Sequence, residues 1–223
     1  MKLKTPAARV KTVAALLRRL YPRPRTALRY ATPFQLLAAV ILSAQCTDKK
    51  VNEVTEPIFA QYKTAADFAS IPLPRLERMV KQTGFYRAKA KAIAVTARMV
   101  AQRFKNRVPL TMAELTTLRG VARKTANVVM GQLTGKAEGI AVDTHVIRLS
   151  NRLGLTKHAD PRKIEADLMD IVPRKQWVTF SHLLILHGRA ICEAKKPRCD
   201  RCVLSNVCPS ASRFPHFDKA SVR

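Results

Sequence analysis

Apolar residues recur along nearly the whole chain at intervals of three and four, the spacing of an α-helix that buries one face. The first stripe consists of Val10, Val13, Ala14 and Leu17, and it ends before Pro22. No segment shows the strict alternation of apolar and polar residues that is typical of a half-buried strand. The pattern therefore predicts an all-α fold.

Cap residues and prolines set the limits of the predicted helices. Thr32-Pro33 places a cap residue before a proline at the first helical position, which predicts a helix over 34–44. Asp48 is expected to cap the next helix, which runs to about residue 62. Further helices are predicted at 65–69, 74–81, 87–104, 112–117, 123–133, 144–153, 161–171 and 177–189.

The charge of the chain is strongly one-sided. Its 223 residues include 41 Lys and Arg against 15 Asp and Glu, a formal net charge of +26, and no acidic residue precedes Asp48. This charge predicts a polyanionic partner, bound with an affinity that falls as salt rises. We expect nucleic acid rather than a membrane, because no segment joins a long basic face to a Trp- and Phe-rich face. The longest purely apolar run, 36–42, is too short to cross a bilayer.

The stretch 115–145 combines a short helical segment, a tight turn and an amphipathic helix that begins at Arg123. Gly120 lies in the turn and permits a bend with positive φ. The second helix then opens with free N–H groups and the positive end of its dipole, which together form an anion site. Phosphate is the anion we expect for a chain this basic.

Two residues of this stretch have side chains that can take part in a reaction as well as in binding. Lys124 lies in the first turn of the second helix, where the dipole disfavours a cation and so favours a neutral, nucleophilic amine. Asp143 begins the next helical pattern, after a glycine-containing loop. The loop could bring it back to the end of the second helix at which Lys124 lies. From spacing alone, a phosphate contact for Lys124 and a helix cap for Asp143 are the simpler interpretations.

Residues 118–129 read LRGVARKTANVV and residues 142–145 read VDTH. These segments resemble the helix–hairpin–helix of the endonuclease III family of DNA glycosylases, whose usual pattern is LPGVGRKTANVV followed by VDTH. A SAQCTD segment at 43–48 and a group of four cysteines extend the resemblance over nearly the whole chain.

The resemblance implies a bifunctional DNA glycosylase and abasic-site lyase of base excision repair. In this family Lys124 would attack C1′ of an extruded oxidised pyrimidine nucleotide and form an imine, and elimination would then cut the strand. Asp143 would help to deprotonate the lysine and would stabilise positive charge on the sugar. The family's fold implies a helical-bundle domain over 26–137 and a second domain from 1–25 and 138–223, with duplex DNA in the cleft between them.

The hairpin departs from the family's pattern at two positions. Arg119 replaces the usual proline and adds a positive charge towards the proposed phosphate. Ala122 replaces the usual second glycine, at a cost of about 1 kcal/mol if that position needs positive φ. We expect Arg119, Gly120 and Ala122 to contact the DNA backbone, with a changed grip but an unchanged type of reaction.

Enzymes that act on a base inside a duplex must extrude it, and side chains can fill the hole or wedge the bases apart. By resemblance, Gln45 matches the family's hole-filling residue and Phe85 matches its wedge. The alternatives are a helix-terminal Gln and an aromatic ring packed beneath a turn.

Four cysteines lie within 17 residues near the end of the chain: Cys192, Cys199, Cys202 and Cys208. Four thiolates can hold a zinc ion or an iron–sulfur cluster. Zinc sites usually show two short cysteine pairs, whereas this group contains one. The spacing matches the motif of the endonuclease III family, so the resemblance implies a 4Fe–4S cluster. Two disulfides are the alternative, and Cys46 is expected to be a buried small residue.

The loop between the first two of these cysteines is basic. Its cations Lys195, Lys196 and Arg198 are expected to contact the DNA backbone, with the cluster pinning the loop. A solvated charged loop is the alternative. Residues 209–223 predict a flexible basic tail.

Other functions remain compatible with the sequence. Adenine- and thymine-mismatch glycosylases share the implied fold, but the resemblance expects no lysine at position 124 in either. A non-catalytic DNA-binding protein that uses the hairpin and the cluster only for grip is the alternative from another class. We expect a monomeric, cytoplasmic and nucleoid-associated bacterial protein, and the Arg-rich, acid-free start leaves an organelle transit peptide open.

Overall fold

The computed structural model describes residues 5–214, and this part of the chain contains eleven α-helices and no strand. The all-α prediction is therefore confirmed. The helices are α1 (Pro6–Leu20), α2 (Pro33–Leu42), α3 (Asp48–Gln61), α4 (Ala65–Ala69), α5 (Leu73–Val80), α6 (Tyr86–Arg103), α7 (Met112–Leu115), α8 (Arg123–Thr134), α9 (Thr144–Arg152), α10 (Pro161–Ile171) and α11 (Trp177–Ala190).

Side-chain caps explain where several helices begin. Thr32 caps α2 as predicted, because its hydroxyl oxygen accepts a hydrogen bond from the backbone N–H of Gln35 at 3.2 Å. The prediction that Asp48 caps α3 is wrong: Thr47 is the cap, and its hydroxyl accepts from the N–H of Lys50 at 3.2 Å. Asp48 is instead the first helical residue, where its negative charge faces the positive end of the helix dipole.

The chain divides into two compact units, each described here by itself. The hairpin unit consists of Thr26–Gly135, and the cysteine unit consists of the described residues before and after it, 5–25 and 136–214. The second boundary was predicted at 137, whereas the compact unit ends at Gly135.

The core of the hairpin unit forms around α2. All of its residues from Phe34 to Leu42 are buried, and α3, α6 and α8 pack against it. A helix that is apolar on every side must be surrounded by other helices, so the packing follows from the apolar run 36–42. This arrangement fixes the start of α8 against the body of the unit.

The core of the cysteine unit is built from α1, α9, α10 and α11. The predicted stripe on α1 is confirmed, since each of its apolar residues is buried. The guanidinium of Arg9 joins this helix to the end of α9 by donating to the carbonyl oxygens of Leu153 and Gly154, both at 2.8 Å.

The prediction of a flexible tail from 209 is wrong for its first residues. Ala211 is buried in a short 3-10 turn, and the guanidinium of Arg152 lies 4.7 Å from the ring centroid of Phe214. The rest of that predicted tail, 215–223, lies outside the described residues. None of the helices between residues 5 and 214 has the length and apolarity required to cross a membrane.

Candidate functional site

The hairpin between α7 and α8 is fixed against α6. Gly120 adopts a φ of +81°, and a Cβ at this position would lie 3.0 Å from the Cβ of Ala92 on α6. The hydroxyl of Thr96, also on α6, donates to the carbonyl oxygen of Arg119 at 2.9 Å. The turn therefore needs a glycine both for its backbone conformation and for the close approach of α6.

Ala122 does not have the positive φ that would strain an alanine. Ala122 precedes α8 with φ −86° and ψ 170°, which is extended backbone that any residue adopts. Alanine offers no side-chain oxygen, so the N-cap residue makes no side-chain hydrogen bond to the start of α8. Arg119, Gly120 and Ala122 are all exposed.

Lys124 lies in the first turn of α8 and is exposed, as is its neighbour Arg123. An amine at this position lies beside the N–H groups that begin the helix, within one turn of the proposed phosphate site. The residue is thus accessible to a macromolecular substrate.

Gln45 and Phe85 share an unusual conformation in two separate loops of the hairpin unit. Gln45 has a φ of 52° in the turn between α2 and α3, and Phe85 has a φ of 46° immediately before α6. Gln45 is exposed, and the side chain of Phe85 is 68% exposed. The alternative that Phe85 is a core residue beneath a turn is therefore wrong. An exposed aromatic ring on a strained backbone favours a functional role.

A buried cation that the sequence analysis missed lies behind these two loops. Lys89 is 5% exposed, and its ammonium donates to the carbonyl oxygens of Leu42 at 2.8 Å and Thr83 at 2.7 Å. Burial lowers its pKa, an effect that the charge of Cys46 opposes. A signal existed in the sequence: Lys89 shares the helical face of the buried Ile93, whereas Lys91 does not and is exposed.

Asp143 is the N-cap of α9, so the predicted helix cap is observed. Its Oδ1 accepts hydrogen bonds from the backbone N–H groups of His145 at 2.9 Å and Val146 at 2.8 Å. These bonds fix the carboxylate and leave Oδ2 outside the cap. Lys124 and Asp143 belong to different units.

Two imidazoles lie within electrostatic range of Asp143. Burial lowers the pKa of His145 and that of His182, and the charge of Asp143 opposes both shifts. The Nδ1 of His145 lies 3.0 Å from the guanidinium Nη2 of Arg148, which also donates to the carbonyl of Gly188 at 3.0 Å. His145 therefore supports α9 from within the unit.

The four clustered cysteines line one cavity of the cysteine unit and carry no disulfide, so that alternative is not supported. Cys46, which belongs to the other unit, is only half-buried. Among the described residues, no three His, Cys, Asp or Glu side chains are arranged to hold a single metal ion. The cavity is also lined by Leu149, Leu153, Leu204 and Phe214, which shield it with apolar side chains.

Burial raises the pKa of Cys199 and of Cys208, and it raises the pKa of Cys202 to about 12. The negative charges of the neighbouring cysteines add to each of these shifts. Four thiolates therefore need a strongly positive group among them, as thiolate-bound metals provide. Polar groups already face the sulfurs: the guanidinium of Arg152 lies 3.2 Å from the Sγ of Cys192, and the Nε2 of His187 lies 3.2 Å from the Sγ of Cys202.

The basic loop between the first two cysteines is held by arginines. Arg152 donates from its two guanidinium NH₂ groups to the carbonyls of Glu193 and Ala194, each at 2.7 Å. Arg198 donates to the carbonyl of Ala190 at 2.6 Å and to Glu193 at 3.1 Å, so part of its guanidinium is occupied by the loop itself. Lys195 and Lys196 are exposed. Arg152 was not identified from the sequence, where nothing distinguishes it from the other arginines.

Comparison with known proteins agrees with this geometry. A family model described as HhH-GPD superfamily base excision DNA repair protein matches residues 38–174. Endonuclease III of Synechocystis sp. is 48% identical over 210 residues, which cover 94% of this chain and 96% of the relative. Endonuclease III of Bacillus subtilis is 43% identical over 190 residues, with coverages of 85% and 86%.

A solved structure shows the same similarity in three dimensions. It is a trapped Endonuclease III–DNA covalent intermediate in an estranged-adenine complex, with a TM-score of 0.87 and 38% identity over 95% of this chain and 99% of that chain. The chain belongs to the HhH-GPD superfamily of base excision DNA repair proteins and, within it, to the endonuclease III family.

Proposed function

We propose that this protein is a bifunctional DNA glycosylase and abasic-site lyase that removes oxidised pyrimidines from duplex DNA. The observation that carries the proposal is the exposed Lys124 in the first turn of α8, behind a hairpin whose turn is fixed by Gly120. A hairpin alone would account for DNA binding. An accessible amine at the start of its second helix adds a nucleophile, in a chain that belongs to a base excision repair family.

The hairpin binds the DNA backbone near the damaged nucleotide. A phosphate accepts hydrogen bonds from the backbone N–H groups that begin α8, and the exposed Arg119 adds a charge contact. Lys195, Lys196 and the remaining donors of Arg198 contact a second part of the backbone. These contacts carry no sequence information, which suits an enzyme that must examine any sequence for damage.

Extrusion of the damaged nucleotide is the task of Phe85 and Gln45. The exposed ring of Phe85 enters the stack as an apolar wedge, and the amide of Gln45 replaces the hydrogen bonds that the extruded base gave up. Both side chains project from positive-φ positions, so their loops hold them out before DNA arrives.

Lys124 then attacks C1′ of the extruded nucleotide. The new C–N bond forms as the bond between C1′ and the base breaks, and the departing base carries away the bonding electron pair. Asp143 receives the proton lost by the amine and stabilises positive charge on the sugar through its Oδ2. The sugar ring then opens: the nitrogen forms a second bond to C1′ as the C1′–O4′ bond breaks, and O4′ takes up a proton, which leaves an imine. The imine makes the C2′ protons acidic, loss of one expels the 3′ phosphate, and hydrolysis frees Lys124.

The cysteine unit fits an iron–sulfur cluster. Its four cysteines share one apolar-walled cavity, and the mutual repulsion of their charges calls for a positive group among them. We propose that Cys192, Cys199, Cys202 and Cys208 hold a 4Fe–4S cluster. When bound, the cluster supplies a cross-link that fixes the basic loop. We further propose that the enzyme acts as a monomer on nucleoid DNA in the bacterial cytoplasm.

Borohydride trapping tests the proposal directly. A duplex with one thymine glycol and a duplex with one abasic site are incubated with wild type, Lys124→Ala and Asp143→Asn. We expect a trapped covalent band with wild type on both duplexes, its complete loss in Lys124→Ala, and strong reduction in Asp143→Asn. Tight binding without any trapped band in wild type would refute the lyase assignment.

Two further variants separate the cap of Asp143 from its chemical role. Asparagine is as good a cap as aspartate, so Asp143→Asn should keep the stability of wild type while it loses activity. Asp143→Ala removes the cap as well, and we expect it to cost about 1 kcal/mol of unfolding free energy in addition. If activity followed stability across the two variants, the carboxylate would be a cap only.

A further inference from the structure

We propose that Lys89 is a positioning residue that couples the loops of Gln45 and Phe85. The wedge, Phe85, and the hole-filling residue, Gln45, then enter the duplex together in a fixed arrangement. The DNA step of this inference rests on the proposed function. Its structural step, the coupling of two loops by one buried ammonium, does not.

The two hydrogen bonds of Lys89 end at the bases of two different loops. Leu42 is the last residue of α2, three positions before Gln45, and Thr83 lies two positions before Phe85. The ammonium donates to both carbonyl oxygens, at 2.8 Å and 2.7 Å. A single side chain of α6 therefore spans the bases of both loops.

The bonds to Lys89 serve groups that need a donor. The carbonyl of Leu42 is among the last four of α2, which have no partner within the helix, and a cation is favourable at this negative end. Thr83 is 2% exposed, and its hydroxyl donates to the carbonyl of Val80 at 2.8 Å, so the base of the second loop is anchored in the core. Lysine at 5% exposure is rare without such partners.

Strain in the loops makes this anchor necessary. Gln45 and Phe85 both have left-handed backbones without being glycine, a conformation that persists only where the surroundings fix it. Burial of the side chains cannot fix it, since Gln45 is exposed and Phe85 is 68% exposed. Lys89 is the buried group that bonds to both loops beneath them.

Phe85 can act as a wedge only if its loop is rigidly supported by the rest of the protein. Insertion of a side chain unstacks bases, and a loop that yields under this load would retract instead of opening the duplex. A common anchor also keeps the distance between the hole-filling residue and the wedge constant. Without the ammonium, each loop would relax separately, and extrusion would suffer while the chemistry at Lys124 would not.

The test compares Lys89→Met with Lys91→Met. Methionine keeps most of the length of the side chain and removes the donor, and Lys91 is the matched exposed lysine of the same helix. Each variant is assayed on thymine glycol within a paired duplex and within an unpaired bubble, with active enzyme counted by borohydride trapping on an abasic site.

We expect Lys89→Met to lower kcat/KM on the paired duplex about 10- to 100-fold, the scale of a 1 Å misplacement, and to change the bubble substrate far less. Lys91→Met should leave the ratio of the two substrates at the wild-type value. Equal losses on both substrates would overturn the inference, because a loss of general stability does not distinguish them. If Lys89→Met does not fold, Lys89→Gln replaces it, and its shorter donor should give the same loss of ratio.

A double-mutant cycle with Phe85→Ala adds a second check. If Lys89 acts through the wedge, Lys89→Met should reduce extrusion little further once Phe85 is gone. If the loss in the double variant equals the product of the two single losses, Lys89 does not act through the wedge.

Hydrogen exchange separates the inference from the proposed function. Lys89→Met should raise amide exchange in 43–47 and 83–86 together, and Lys91→Met in neither. Should wild type cut no damaged DNA, the proposed function fails while this coupling of the loops can still hold. Unchanged exchange in both loops would overturn it.

Discussion

Replacement of Gly120 by Ala perturbs the hairpin at the point where it lies closest to α6. The new Cβ would have to adopt a φ of +81° and would lie 3.0 Å from the Cβ of Ala92, with Ile41 at 3.7 Å. Ala92 has no rotamer that could move its Cβ away, so either the hairpin or α6 must shift. Any shift displaces the backbone N–H groups that we assign to a DNA phosphate.

The cost has two parts that the structure separates. A left-handed alanine costs about 1–2 kcal/mol. Overpacking of a well-filled contact costs about 1–3 kcal/mol more, so Gly120→Ala should lower the free energy of unfolding by about 2–5 kcal/mol. Gly135 is the matched control, because its φ is +70° but nothing lies within 4 Å of a Cβ there. Gly135→Ala should lose only the first part.

Urea unfolding of both variants measures the difference, and fluorescence anisotropy on an abasic-site analogue measures DNA affinity. Gly120→Ala should lose affinity well beyond Gly135→Ala. Ala92→Gly in the Gly120→Ala background should restore part of the stability despite its own helix-propensity cost of about 1 kcal/mol. Equal stabilities for the two alanine variants, or no rescue by Ala92→Gly, would refute the contact between hairpin and α6.

Arg119→Ala should reduce the slope of log affinity against log salt by about 0.9, measured by anisotropy over a salt series, since one phosphate contact is lost. Arg152→Gln removes the donors to Cys192 and to the basic loop. The retention of bound iron in the presence of a chelator, measured by visible absorption, should therefore fall about 10- to 100-fold. Burial, together with the charge of Arg189, lowers the pKa of His182 in the folded protein, whereas the unfolded chain takes up a proton as pH falls through about 6.5. Stability should therefore decline as pH falls through that value, and His182→Gln should remove part of the decline in urea midpoints measured at about pH 7.5 and 5.5. An unchanged decline would contradict this account.

Local signals were sufficient for most helix positions and for the class of fold. The start of α2 followed from Thr32 and Pro33, because cap and proline act within one turn. At the start of α3 two adjacent cap residues competed, and Thr47 took the role that the sequence analysis gave to Asp48. Local sequence cannot decide such a case, since both residues satisfy the same N–H groups.

Features that depend on distant residues were not predictable in the same way. Ala122 needs no positive φ, because the preceding Gly120 alone makes the bend. Residues 209–214 look like a polar tail, yet Ala211 is buried. The helical face that Lys89 shares with Ile93 is a local sign of burial, but the carbonyl partners of its ammonium come from α2 and from the turn before α6, and local sequence does not identify them.

From the sequence, a helix cap and a catalytic group were alternatives at Asp143, but the observed cap is compatible with the catalytic role that we propose. The cap uses Oδ1, which accepts from the N–H groups of His145 and Val146, and it thereby fixes the rotamer and the direction of Oδ2. A catalytic group needs such fixed geometry, because time spent in unproductive rotamers lowers the rate. The same reasoning holds at Lys124, where a phosphate bound at the start of α8 would place DNA beside the amine. At both positions the structural role would supply the orientation on which the proposed chemical role depends.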